Sequence, residues 1–96
     1  MQIFHRYTEL LERLDAKGHS YQILGCAPDG QPLVCVRAGG DKTPAILISA
    51  GSHSTEQAGV SAAMELIDTL DTDHQVYIIP CRDPIGLNGF AYALSL

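Results

Sequence analysis
The sequence predicts an α/β chain with a mixed sheet, in which an antiparallel hairpin is followed by a right-handed strand-helix-strand unit. Three observations carry that expectation. An apolar stripe at helical period opens the chain, two β-type runs follow around a turn containing Pro and Gly, and two nearly continuous apolar runs then flank a second amphipathic segment. With 96 residues, 46% of them apolar and 18% charged, the chain can bury a core and allows one domain at most, 1–96 being that domain or part of one.

Residues 3–17 carry Phe4, Tyr7, Leu11 and Leu14 at i, i+3, i+7 and i+10, one face of a helix, and Gly18 supplies a left-handed stop. Residues 21–26 and 33–37 read as the two strands of the hairpin. Between them, Ala27-Pro28-Asp29-Gly30 places Pro and Gly where a type I turn accepts them. After the polar turn Gly39-Gly40-Asp41-Lys42, residues 45–50 (Ala-Ile-Leu-Ile-Ser-Ala) are apolar almost throughout, as expected of a central strand covered on both faces. A helix is expected from about 55 to 70, with Gly59, Ala63, Leu66, Ile67 and Leu70 on one face. Ser54 and Gln57 are spaced as a capping box at its start. Asp71-Thr72-Asp73 ends that helix, and Val76-Tyr77-Ile78-Ile79 forms a last buried strand stopped by Pro80. Strand, helix and strand in so short a stretch predict a parallel pair with a right-handed crossover.

Composition narrows the function classes. A net charge of -5, with only six Lys plus Arg and no basic cluster, argues against a nucleic-acid surface. No apolar run approaches the about 20 residues that span a bilayer, and the first residues lack the apolar core of a secretion signal, so no membrane is expected and the cytoplasm is the default compartment. Cys26, Cys35 and Cys81 are odd in number without a Cys-x-x-Cys pair, which fits buried thiols better than a disulfide framework.

Parallel strands place their carboxyl ends on one edge of the sheet, the edge where open α/β sheets bind ligands. His53 and Glu56 leave the first strand of the pair, and residues 81–90 leave the second. The bland reading of His53-Ser54-Thr55-Glu56 is a solvated histidine and a carboxylate complementing the helix dipole. The alternative is that imidazole and carboxylate meet on one cation, for which Gly51 gives the entering chain freedom to bend. That makes a zinc site the leading hypothesis, although a catalytic zinc usually takes three protein ligands and keeps a fourth position open.

The order of elements, with His53-Ser54-Thr55-Glu56 after one apolar strand and Pro80-Cys81-Arg82-Asp83-Pro84-Ile85-Gly86 after the next, resembles the amino-terminal part of the zinc metallocarboxypeptidases. The resemblance runs from the Tyr7 helix through the hairpin to Phe90. It implies an incomplete carboxypeptidase-like domain, with His53 and Glu56 as two of three Zn2+ ligands. It also implies that the third ligand, the transition-state arginine, the residues holding the substrate carboxylate and the proton-moving glutamate come from sequence past Leu96. Thr55 stands where the digestive members usually carry arginine, and Asp83 and Ile85 replace the Asn and Asp of the family's turn. The apolar ending, residues 90–96, agrees with an interrupted fold and offers a surface for self-association.

Arg82 could steady a substrate carboxylate or oxyanion and Asp83 could orient a ligand histidine; a local ion pair and an Asp-Pro turn are the plainer reading of both. His5 and His19 flank the first helix and His74 precedes a strand at its amino end, the wrong edge for a third ligand. Zinc-dependent hydrolysis of peptides by the complete domain is thus the expected function, the 96 residues alone being inactive. A zinc amidase or deacylase of acylated amino acids or cell-wall peptides, and a non-catalytic binding or assembly module, are the other two classes.

Overall fold
The computed structural model describes residues 2–52 and 57–87. Four strands form one mixed sheet: β1 (Gln22–Cys26), β2 (Pro32–Gly39), β3 (Lys42–Ser49) and β4 (His74–Ile79), in the order β1-β2-β4-β3. β1 pairs with β2 and β2 with β4 antiparallel, while β3 and β4 run parallel. The expected hairpin and parallel pair are both present. Helix α1 (Tyr7–Ala16) precedes the hairpin, α2 (Gln57–Thr69) connects β3 to β4, and the short α3 (Pro84–Leu87) follows β4. None of the described helices is long and apolar enough to cross a membrane.

The core lies between one face of the sheet and the helices. Val34 and Val36 of β2 and Val76 and Ile78 of β4 pack with Phe4, Tyr7, Leu10 and Leu14 from the first segment and with Val60, Ala63, Met64 and Ile67 of α2. Helix α1 starts at Tyr7 rather than near residue 3, and Leu10 joins Leu14 as a fully buried leucine while Leu11 is only partly buried. Its end is a Schellman closure: Gly18 at φ 73° donates to Asp15 O, and His19 donates to Leu14 O at 2.9 Å. Asp68 of α2 then ties the two helices together. Arg13 Nη2 donates to its Oδ2 at 3.2 Å and His19 Nε2 to its Oδ1 at 2.7 Å.

Three expectations need correction. On α2 the buried residues include Val60 and Met64, whereas Gly59 is exposed; the core-facing stripe is rotated relative to the expected one because the larger side chains take the buried side. The expected central strand is instead β3, at the end of the described sheet, with Ile46 and Leu47 exposed by 44% and 66%. Its apolar run makes it suitable for burial on both faces, but among the described residues strand order gives it only one neighbour. Finally, α3 stands where only an Asp-Pro turn is expected.

Candidate functional site
The carboxyl ends of β3 and β4 are drawn together by backbone hydrogen bonds. Ala50 N donates to Ile79 O at 2.9 Å, Arg82 N to Ala50 O at 2.8 Å, and Asp83 N to Gly51 O at 3.0 Å. The loop that leads to His53 and the loop that carries Arg82 and Asp83 are therefore joined residue by residue. This is the convergence expected from a parallel pair.

Gly51 makes the close approach possible. Its φ is 68°, in the left-handed region, and a Cβ there would lie 2.8 Å from Val60 Cγ2 and 3.1 Å from Cys81 Cα. Any side chain would push α2 or the β4 exit away from the loop, so glycine is required on both conformational and steric grounds. His53 and Glu56, the two metal-ligand candidates, lie outside the described residues, as does Ser54 of the expected capping box. The chain is described up to Ser52, at the carboxyl edge, and again from Gln57 in α2.

Asp83 has a structural task. Its Oδ1 accepts from Gly86 N at 2.9 Å, and with Pro84 following it this is an N-cap with proline at the first helical position. Among the described residues Arg82 makes no side-chain hydrogen bond or ion pair, and its side chain is exposed; the local Arg82–Asp83 ion pair of the plainer reading does not form. Arg82 and Asp83 line a small groove of about 130 Å³ with Cys26, Leu33, Pro84 and Ile85, between the hairpin turn and α3. No local pattern marks the hairpin's share in that groove, because the contact joins segments far apart in the chain.

Cys81 is buried at the exit of β4, and burial above all pushes its thiol up to about 11, with the Asp83 charge adding to the effect. Burial likewise raises Cys35. Neither is held as a thiolate, the form a nucleophile needs. His19 is engaged with Asp68, and His74, at the amino end of β4, donates from Nδ1 to Pro44 O at 3.1 Å. Among the described residues no three His, Cys, Asp or Glu side chains are grouped to hold a metal.

No protein-family model matches the chain, and no curated protein matches it. Solved structures do. Bovine thrombin-activatable fibrinolysis inhibitor, in complex with tick carboxypeptidase inhibitor, superposes with a TM-score of 0.73 at 16% identity, over 88% of this chain and 33% of that one. A candidate metallopeptidase from Shewanella amazonensis gives 0.64 at 28% identity, over 85% of this chain and 33% of that one. Another from Shewanella denitrificans gives 0.65 at 22% identity, over 86% and 34%. The fold is metallocarboxypeptidase-like, and the chain spans about a third of the length of these structures.

Proposed function
We propose that this chain supplies His53 and Glu56 as two of the three protein ligands of a zinc-dependent hydrolase acting on peptide bonds in the manner of a carboxypeptidase. One observation supports the reading above the others. The backbone bonds from Arg82 and Asp83 to Ala50 and Gly51 bring two loops together at the carboxyl edge, and the His-x-x-Glu sequence begins two residues beyond that junction. The metallocarboxypeptidase-like fold gives the junction its context.

Imidazole and carboxylate are both ordinary zinc donors, so the donor chemistry fits the metal. When bound, zinc supplies Lewis-acid polarisation of a carbonyl and activation of water. The chain's own residues have narrower roles. His53 and Glu56 would hold the ion, Gly51 lets the preceding backbone pass against Cys81 and Val60, and Asp83 fixes the neighbouring loop through its cap on α3. Arg82, exposed on that loop, is the cation available to a substrate carboxylate. By resemblance the third ligand and the proton-moving glutamate belong to sequence outside these 96 residues, and hydrolysis needs them.

The test is zinc titration of the purified 96-residue chain by calorimetry, with metal content from elemental analysis. Loss of an outer-shell partner already costs about 10- to 100-fold in metal affinity, so His53→Ala should weaken binding by at least about 100-fold, and Glu56→Gln similarly. His74→Ala, at the opposite edge, should leave it unchanged. Equal zinc stoichiometry and affinity in His53→Ala and the parent would overturn the assignment.

A further inference from the structure
We draw no further inference here: the strongest candidate, the cavity of about 370 Å³ between the amino-terminal segment and α2, walled by Phe4, Arg13, Ser61, Glu65 and Asp68, carries nothing, because nothing in the structure shows what covers that face in a fold of which this chain spans about a third.

Discussion

β3 and β4 lie side by side, run in the same direction and carry similar apolar runs, yet they end in opposite environments. Ile46 is in register with Val76 and Ile48 with Ile78, so each pair points to the same face of the sheet. Val76 and Ile78 are 2% and 0% exposed beneath α1 and α2, whereas Ile46 is 44% exposed. The difference is one of position: among the described residues β4 has a neighbour on each side and β3 has one. Apolar composition sets what a strand can bury, and sheet order sets how much of it is buried.

Truncation should expose the contrast most strongly. Ile78→Ala empties a site in the core and should cost about 2–5 kcal/mol in urea unfolding. Leu47→Ala should change the stability of the single chain by less than about 0.5 kcal/mol. A large cost at 47 would break the comparison.

The next effect lies where the two strands meet. Gly51→Ala forces a Cβ against Val60 and Cys81 in a left-handed conformation and should destabilise the fold by about 1–3 kcal/mol, while Gly25→Ala, with open space around it, should stay within about 0.5 kcal/mol. Similar costs at both would mean that the junction at the carboxyl edge yields. Asp83→Ala removes the cap of α3 and should cost about 1 kcal/mol by the same unfolding measurement.

The smallest effect lies on the helical layer. The hydrogen bond from His19, and then that from Arg13, hold the Asp68 carboxyl below the ordinary range. A depressed carboxylate contributes stability above its unfolded pKa and loses it as pH falls through the folded one. The α1–α2 tie should therefore weaken as pH drops below the ordinary Asp value of 3.8, and Asp68→Asn should flatten that part of the stability profile. An unchanged acid limb in the variant would show that Asp68 does not carry it. Because Asp68 is partly solvated, the effect should be modest.

Much of this architecture was legible residue by residue. Gly18 ends α1, Pro28 and Gly30 turn the hairpin, and the strand-helix-strand order makes β3 and β4 parallel, because each follows from local backbone preference or from the geometry of a short connection. The stripe on α2 was misread because Gly59 and Val60 are adjacent, and choosing between them requires knowing where the sheet lies. The likeness to metallocarboxypeptidases was also legible from the order of motifs, and the superposed structures bear it out at the level of fold. The positions of His53 and Glu56 lie outside the described residues, so their meeting rests on the proposed zinc test.

By itself the sequence determined the local elements, their parallel and antiparallel senses, and the shared edge reached by the loops after β3 and β4. Those properties depend on periodicity, turn residues and connection length, all of which are short-range. Only the tertiary structure decided that β3 stands at the end of the described sheet and that the hairpin turn borders the Arg82 groove. Each of those depends on which distant segments become neighbours, and burial and pairing energies are fixed by neighbours rather than by the chain's own pattern.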